Sequence, residues 1–172
     1  MRIEAPTTFS EDTIARLAEI LADAVDGDAS VGWLAPMDLE EAQAYFQKRA
    51  QVAGAGETVL LLAYAEDGTL AGTAQLGFAP YPNGSHRADV MKVLVHSDYR
   101  RQGIGQALML ELETHARKHD ISLLVLDTLE GAPSELLYQK LGYQESGKIP
   151  NFARINDGSL ATTVYYYKIL ES

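Results

Sequence analysis

The chain has 172 residues, of which 47% are hydrophobic and 22% charged, and its formal net charge is −10. This size and composition favour a single globular domain over residues 1–172, and the lack of cysteine excludes disulfides, a thiol nucleophile and cysteine-ligated metals. The acidic excess repels nucleic acid and anionic lipid at long range, and no segment resembles a membrane span or signal peptide, so we expect a cytoplasmic protein without nucleic-acid or membrane partners.

Two helices are predicted near the N-terminus. The first is capped by Ser10, ends near Gly27 and has an apolar face of Ile14, Leu17, Ala18, Leu21 and Val25. Residues 38–41 resemble a capping box that opens the second helix, in which Ala42, Tyr45, Phe46 and Arg49 share a side. Residues 28–37 between the helices are expected to form a loop. Its Trp33 is either a packed core residue or part of a binding-site wall.

Three antiparallel strands are predicted next. Residues 59–65 and 70–78 are strand-like runs joined at residues 66–69, whose sequence Glu-Asp-Gly-Thr is a good hairpin signal. A second turn at residues 80–84 leads to the third strand, which is predicted over the mostly apolar, β-branched run 90–95.

Residues 88–128 predict a strand–loop–helix–strand unit. Helical spacing of Ile104, Ala107, Leu108, Leu112 and Ala116 follows the third strand, and the apolar run 122–127 suits a parallel strand covered on both faces. A helix N-terminus has unpaired N–H groups and a partial positive charge, and Gly103 and Gly105 let a ligand approach that backbone. Because Arg100 and Arg101 add cationic donors, we predict an anion site suited to a ligand with several phosphates.

Two other interpretations of these glycines stay open at this point. They can simply form a tight turn beside solvated arginines. They can also belong to a dinucleotide-binding fingerprint, since Asp127 follows about twenty residues later, where a ribose-binding acid sits. Against that fingerprint, Leu108 occupies the place of the third small residue, and the loop at residues 96–102 is long for its tight turn.

The C-terminal part predicts one short helix and two strands. Ser134 is expected to cap a helix that reaches Lys140 and ends at Gly142. Strands are predicted at residues 144–149 and 162–170, with a turn at residues 156–159. The predicted fold class is α/β with α+β character: a mixed, mostly antiparallel sheet of six to seven strands, a central parallel βαβ unit and about four helices.

Several of these segments resemble one family. Arg100-x-x-Gly103-x-Gly105 after a strand is similar to the Q/R-x-x-G-x-G/A signature of the GCN5-related N-acetyltransferase (GNAT) superfamily, and residues 137–143, Leu-Tyr-Gln-Lys-Leu-Gly-Tyr, resemble its L-Y-x-K-x-G-F/Y segment. The resemblance covers most of the chain and implies the GNAT fold. Residues 29–32, 82–84, 87–90 and 126–128 are similar to the narrower group of tabtoxin-resistance acetyltransferases, which acetylate a small amino-acid-like antibiotic.

The resemblance implies acetyl-CoA as cosubstrate. In the superfamily the signature segment binds its pyrophosphate, which here corresponds to Arg100, Arg101, Gln102, Gly103, Ile104, Gly105 and Gln106. The backbone of Val93, Leu94 and Val95 is expected to pair with the pantetheine arm, and an N–H near Leu94 or Val95 to polarise the thioester carbonyl. Gly131 departs from the asparagine that holds this arm in many relatives, and Ser134 is the predicted replacement.

Three side chains are the catalytic candidates. Acetyl transfer to an amine needs a base for the amine and a donor for the departing sulfur. The superfamily uses the tyrosine of its second segment as the acid, which makes Tyr138 that donor; the alternative is a tyrosine packed by its ring. Asp89 and Asp127 are the candidate bases and, with Trp33, the candidate acceptor-binding residues. A strand-entry aspartate at Asp89 can also simply cap a turn.

No metal is expected. His115 and His119 have i, i+4 spacing on a helix, but no third ligand accompanies them.

Together with the resemblance, these residues predict an N-acetyltransferase that transfers acetyl directly in a ternary complex. The predicted acceptor is a primary amine of a small molecule, amino-acid-like or an antibiotic. The alternatives are a protein N-terminal or lysine acetyltransferase and a non-catalytic acetyl-CoA sensor. A homodimer is an open expectation, since relatives commonly dimerise.

Overall fold

The structure is a computed structural model that describes residues 1–171, and within them it has four α-helices and seven strands. The helices are α1 (Glu11–Asp26), α2 (Leu39–Gly54), α3 (Ile104–Lys118) and α4 (Pro133–Lys140). The strands are β1 (Arg2–Glu4), β2 (Thr58–Tyr64), β3 (Leu70–Phe78), β4 (Arg87–Val95), β5 (Leu123–Leu129), β6 (Gln144–Arg154) and β7 (Leu160–Ile169). The predicted fold class is confirmed.

All strands lie in one mixed sheet of order β1-β2-β3-β4-β5-β7-β6. Neighbours pair antiparallel except β4 and β5, which are parallel and are connected through α3. The predicted hairpin at residues 66–69 is confirmed, since the Ala65 N–H donates to the Thr69 carbonyl at 2.9 Å. Because β4 and β5 are the parallel pair in the middle of the strand order, the predicted βαβ unit lies at the centre of the sheet.

Helices cover both faces of the sheet. On one face α1 and α2 pack through Leu17, Leu21 and Phe46 onto Leu60 and Leu62. On the other face α3 packs onto the alternate residues of the same strands. Residues 58–63 are thus buried on both sides, which explains their unbroken apolar run.

The starts of α1 and α2 confirm the predicted N-caps. The Ser10 hydroxyl accepts from the Thr13 N–H, and the Asp38 carboxylate accepts from the N–H groups of Glu40 and Glu41. The reciprocal half of the predicted capping box differs, because the Glu41 carboxylate accepts from the Trp33 indole N–H at 2.7 Å. The loop at residues 28–37 is thereby tied to the first turn of α2.

Three element boundaries differ from the prediction. Strand β1 was not predicted: it is too short for a periodic pattern, and it forms by pairing with β2, where the Arg2 guanidinium lies 4.4 Å from the Tyr64 ring centroid. Strand β6 continues past Pro150, which an edge strand with an irregular register tolerates. Helix α4 has Ala132 as N-cap and Pro133 in its first turn, so Ser134 does not cap it.

Among residues 1–171 no helix combines the length and the apolar character needed to cross a membrane.

Candidate active site

A cleft opens where β4 and β5 separate. Their parallel ladder joins only Arg87–Asp89 to residues 123–125, although both strands continue further. The cavity has a volume of about 560 Å³ and is lined by residues of the α1–α2 loop, β4, β5, α4, β6 and β7. Unlike the interior of the sheet, this gap exposes backbone groups of a central strand.

A β-bulge in β4 accompanies the separation. Gln75 of β3 lies opposite Met91, but Thr73 lies opposite Leu94, so three steps along β4 match two along β3. Lys92 within this bulge has a φ of +50°, in the left-handed region. A bulge re-aims side chains and bends its strand. It places Lys92 beside the cleft, where its side chain is among the lining residues.

The backbone groups of Val93 and Val95 face the gap. The His96 N–H donates to the Ala71 carbonyl of β3, and Thr73 lies opposite Leu94. Because backbone groups alternate along a strand, Leu94 also turns its N–H and C=O toward β3, whereas Val93 and Val95 turn theirs toward β5. The Leu94 side chain is buried against α1 and α2. The predicted pantetheine contacts therefore fit Val93 and Val95. For Leu94, which also lines the cleft, the contact stays a prediction.

The start of α3 differs from the starts of α1 and α2. Those helices have a side-chain cap and two acidic residues in the first turn, whereas α3 has neither. Its N-cap is Gly103, with a φ of +81° and no atom within 4 Å of the position a Cβ would occupy. Uncapped N–H groups and the helix dipole attract an anion. This end of α3 thus fits the pyrophosphate of acetyl-CoA.

The two arginines before α3 have different surroundings. Arg101 is exposed and has a φ of +61°. Arg100 lines the cleft, but its Nε donates to the Val95 carbonyl at 3.1 Å and its Nη2 lies 3.4 Å from Asp23 Oδ2. Two of its three nitrogens are therefore engaged, and through them Arg100 holds the loop to α1. Its predicted phosphate contact stays a prediction.

Asp23 anchors that loop from the end of α1. Its carboxylate accepts from the Ser97 N–H at 2.8 Å and from the Ser97 hydroxyl at 2.6 Å. Burial raises the pKa of Asp23, but the Ser97 hydrogen bonds and the charges of His96 and Arg100 outweigh it and lower the pKa overall. The ionised form of Asp23 is therefore the one that fixes the approach to α3.

The remaining residues of the signature contribute unequally. The Ile104 side chain is buried in the core, so only its backbone N–H is available to a ligand. The Gln106 side chain accepts from Lys140 Nζ at 3.1 Å, and the Gln102 amide contacts the Asp98 carbonyl. A Cβ on Gly105 would lie 3.4 Å from Leu137 Cδ2, so α3 and α4 approach closely here.

Tyr138 lies in the wall of the cleft formed by α4. Its side chain is buried, and its ring is tilted against Tyr143 and Tyr166 at 6.0 and 6.3 Å between centroids. Burial, and secondly the negative charge of Asp127, raises the pKa of Tyr138 to about 12. The phenol is therefore fully protonated at neutral pH. The ring packs and the residue also lines the cleft, so the two interpretations of Tyr138 are compatible.

The two candidate bases are placed differently. Asp127 lines the cleft and accepts from the Thr163 hydroxyl at 3.0 Å. Asp89 is exposed and lies opposite Gly77 and Val125, before the strands separate. Within the described residues, Asp89 is not part of the cleft lining. Of the two carboxylates, Asp127 is the one that an acceptor in the cleft can reach.

Ser134 and Gly131 lie at the turn into α4. The Ser134 hydroxyl is 2.7 Å from the Thr128 hydroxyl, and both residues line the cleft. Gly131 donates its N–H to the Glu135 carboxylate. Ser134 is thus positioned in the cleft wall, as its predicted cofactor contact requires.

Lys92 is the cleft residue that sequence analysis missed. Its signal was a single charged residue inside the apolar run 90–95. Trp33, the predicted acceptor wall, is half-buried, packs edge-to-face on Tyr45 at 5.0 Å, and has the Lys92 ammonium 5.4 Å from its ring centroid. Trp33 therefore packs as a core residue and borders the cleft through Lys92.

Comparison with known proteins agrees with this geometry. The sequence model of a family described as "Acetyltransferase (GNAT) family" matches residues 18–143. An L-methionine sulfoximine/L-methionine sulfone acetyltransferase of Pseudomonas paraeruginosa is 30% identical over 142 residues, 80% of each chain.

Two solved structures share the fold. A ribosomal-protein-alanine N-acetyltransferase from Brucella melitensis has a TM-score of 0.80 and 25% identity, covering 99% of this chain and all of the other. The Salmonella typhimurium protein yncA, solved with its cofactor acetyl-CoA, has a TM-score of 0.80 and 20% identity, covering 100% of this chain and 95% of the other.

Proposed function

The chain belongs to the GNAT family of acetyltransferases, and from this premise we propose that it transfers the acetyl group of acetyl-CoA to a primary amine of a small, amino-acid-like molecule. The relative that is 30% identical is named for two such acceptors, methionine sulfoximine and methionine sulfone. This supports the narrower resemblance to enzymes that acetylate an amino-acid-like antibiotic. Resistance to such a compound is part of the proposal.

One observation carries the proposal: the uncapped N-terminus of α3 lies beside the gap between β4 and β5, where a Cβ on Gly105 would be 3.9 Å from Val95 Cγ2. N–H groups of residues 103–106 and the Arg101 guanidinium are proposed to hold the diphosphate. Val93 and Val95 are proposed to pair with the amides of the pantetheine arm. Acetyl-CoA, once bound, supplies the activated acetyl group as a thioester.

The acceptor amine must lose a proton before it can attack. An amine with a pKa of about 8 to 10 is mostly protonated at neutral pH, so a base is required. We assign this role to Asp127, because it lines the cleft. The Val93 or Val95 N–H that faces the gap is proposed to stabilise negative charge on the carbonyl oxygen.

Tyr138 is proposed to donate a hydrogen bond to the departing sulfur. Its pKa of about 12 lies well above the value of about 8.5 for an alkyl thiol, so complete proton transfer to the thiolate would cost about 5 kcal/mol. A hydrogen bond has no such cost and still stabilises the developing charge. Tyr138 therefore keeps its proton through the reaction.

The composition supports direct transfer. Cysteine is the residue best suited to hold the acetyl group covalently, and the chain has no cysteine. We therefore propose that amine and acetyl-CoA are bound together. A cytoplasmic location and a homodimer remain predictions.

A second candidate function is N-terminal acetylation of a protein. The solved Brucella melitensis enzyme with 25% identity is named for the alanine of a ribosomal protein. One experiment separates the two. Release of CoA thiol from acetyl-CoA is measured with methionine sulfone, methionine sulfoximine, aminoglycosides, polyamines and peptides with N-terminal alanine. We expect turnover with the methionine derivatives. Turnover with the peptides alone supports the second candidate, and tight CoA binding without any turnover supports a sensor.

A further inference from the structure

The ammonium group of Lys92 lies at the edge of the cleft in an aromatic corner. Its Nζ is 5.4 Å from the Trp33 ring centroid and 5.9 Å from that of Tyr45, while Lys92 itself lines the cleft. Within residues 1–171 no carboxylate lies within 4.0 Å of this ammonium. Cation–π contacts stabilise it, but they leave its N–H donors without an anionic partner.

Further unpaired donors lie behind this corner. Arg49 Nε and the Gln75 amide nitrogen are both buried without a hydrogen-bond partner among the described residues. The Tyr45 hydroxyl, which borders Lys92, donates to Gln75 Oε1 at 3.1 Å. Burial lowers the pKa of Lys92, the charge of Asp127 opposes this shift, and Arg49, a second positive charge nearby, lowers the pKa further.

Two cations, Lys92 and Arg49, thus lie near each other in a chain whose net charge is −10. A partly buried cation loses hydration energy, and an anion that approaches it recovers part of that energy. The corner is therefore complementary to a negatively charged group that enters from the cleft. A polyamine or an aminoglycoside, which carries only positive charges, does not supply one.

The position of Lys92 relative to Asp127 indicates which chemical groups such a ligand carries. Lys92 lies in the bulge of β4, and Asp127 lies on the facing part of β5, across the gap. Asp127 is the carboxylate whose charge acts on Lys92. Because both residues line the same cleft, an acceptor whose amine binds at Asp127 can reach Lys92 with a neighbouring substituent. In an α-amino acid one of those substituents is a carboxylate.

We propose that Lys92 binds the carboxylate of the acceptor, so that the enzyme selects free amino acids over amines that lack this group. This inference rests on the proposed function and narrows its acceptor class. The bulge turns Lys92 toward the cleft, and the aromatic rings of Trp33 and Tyr45 hold its side chain. Asp127 receives the amine of the same acceptor. A peptide N-terminus has no free α-carboxylate, so it is excluded by the same contact.

The test compares methionine sulfone with its carboxamide, which keeps the amine and the side chain but removes the negative charge. Replacing the carboxylate by a carboxamide also lowers the pKa of the amine, so a larger fraction of the carboxamide is reactive. This intrinsic difference favours the carboxamide and opposes the expected preference for the acid. We expect wild-type kcat/KM to favour the acid by about 10- to 100-fold, the range of a charge-assisted hydrogen bond. Lys92→Met should bring this ratio to about one or below, mainly through the KM of the acid.

Two variants control the interpretation. Lys92→Arg retains the charge and should retain most of the preference, whereas Lys48→Met removes an exposed lysine of α2 and should leave the ratio unchanged. Calorimetric titration of methionine sulfone into CoA-loaded protein gives a second readout that needs no turnover, and the melting temperature reports whether Lys92→Met is folded.

The outcomes distinguish the role of Lys92 from the proposed function on which it rests. Equal kcat/KM for acid and carboxamide in the wild type, or an unchanged ratio in folded Lys92→Met, overturns the role of Lys92 and leaves the proposed function standing. If the wild type binds CoA but acetylates neither compound, the amino-acid acceptor fails, and the carboxylate contact fails with it.

Discussion

Asp89 of β4 lies opposite Val125 of β5 in the last rung of their parallel ladder. Side chains alternate along a strand, so Asp127, two residues beyond Val125, lies on the same face of the sheet but past the point where the strands separate. A carboxylate before the separation faces solvent beside a closed sheet, and a carboxylate after it faces the cleft. This relationship distinguishes two aspartates that sequence analysis treated as equal candidates.

The first prediction concerns these two residues. Asp127→Asn removes the proposed base without changing the size of the side chain, and it should lower kcat/KM by about 10²- to 10⁴-fold. Asp89→Asn, the matched control, should lower it by less than about 3-fold, because Asp89 lies outside the cleft lining. Steady-state thiol release measures both. A larger loss in Asp89→Asn than in Asp127→Asn would reverse the assignment.

The second prediction concerns the hydroxyl of Tyr138. Tyr138→Phe keeps the packed ring and removes the proposed hydrogen bond to sulfur, so kcat should fall by about 10²- to 10³-fold with the Kd of CoA unchanged. Tyr143→Phe is the control, since its ring lies 6.0 Å away and its buried hydroxyl has no hydrogen-bond partner among residues 1–171. Equal kcat in wild type and Tyr138→Phe would remove Tyr138 from the mechanism.

The third prediction is a pH dependence that follows from the raised pKa of Tyr138. A phenol with a pKa of about 12 in the folded protein remains the protonated donor throughout the alkaline range in which the enzyme can be assayed. The ratio of wild-type to Tyr138→Phe kcat should therefore stay constant between about pH 7 and pH 10. An ordinary tyrosine, with a pKa of about 10, would be about half ionised at pH 10. A ratio that declines steadily above about pH 8.5 would contradict the raised pKa.

The fourth prediction separates the two arginines. Arg101→Ala should weaken CoA binding about 10-fold, the loss expected for one charge-assisted phosphate contact. Lys118→Ala removes an exposed cation from the opposite end of α3 and should change the Kd by less than about 2-fold. Isothermal titration with CoA measures both values.

Arg100→Ala should act differently from Arg101→Ala, because Arg100 connects Val95 to Asp23. We expect it to lower the melting temperature as well as the CoA affinity, and Asp23→Asn to reproduce the effect on stability. If Arg100→Ala weakens CoA binding without any effect on melting, Arg100 is a direct phosphate ligand after all.

The fifth prediction concerns stability remote from the cleft. Lys168 Nζ lies 2.6 Å from Glu113 Oε1, and the Glu113 side chain is only 5% exposed. Lys168→Met removes the closer of the two cations at this carboxylate and leaves only Arg117 Nη2, 3.9 Å from Oε2. The free energy of unfolding should therefore fall by about 3 kcal/mol. Lys148→Met removes an exposed pair with Glu130 and should leave stability nearly unchanged. Urea denaturation compares the two, and similar midpoints would show that the Glu113 pair contributes little.

Much of the fold could be predicted because local signals agree with the tertiary structure. The caps at Ser10 and Asp38, the hairpin at residues 66–69 and the apolar strands each indicate one conformation. Strand β1 was missed because it depends on pairing with β2 rather than on its own residues. The start of α4 was misplaced because two local signals compete there. Pro133 is favoured in the first turn of a helix, and Ser134 is favoured as an N-cap.

The candidate site was predictable only in part. The glycines and Arg101 precede a helix whose start is visible in the sequence, so the anion site follows from local rules. The separation of β4 and β5, the bulge at Lys92 and the engagement of Arg100 by Asp23 depend on residues far apart in the chain. No local pattern encodes them, and they decide which aspartate, which backbone groups and which cation face the cleft.

The most direct test of the account is a crystal structure of the protein with bound CoA. We predict diphosphate oxygens about 2.9 Å from N–H groups of residues 103–106, Arg101 beside them, and the pantetheine amides paired with the backbone of Val93 and Val95. The cofactor bound elsewhere, with the start of α3 and the gap between β4 and β5 both empty, would contradict it.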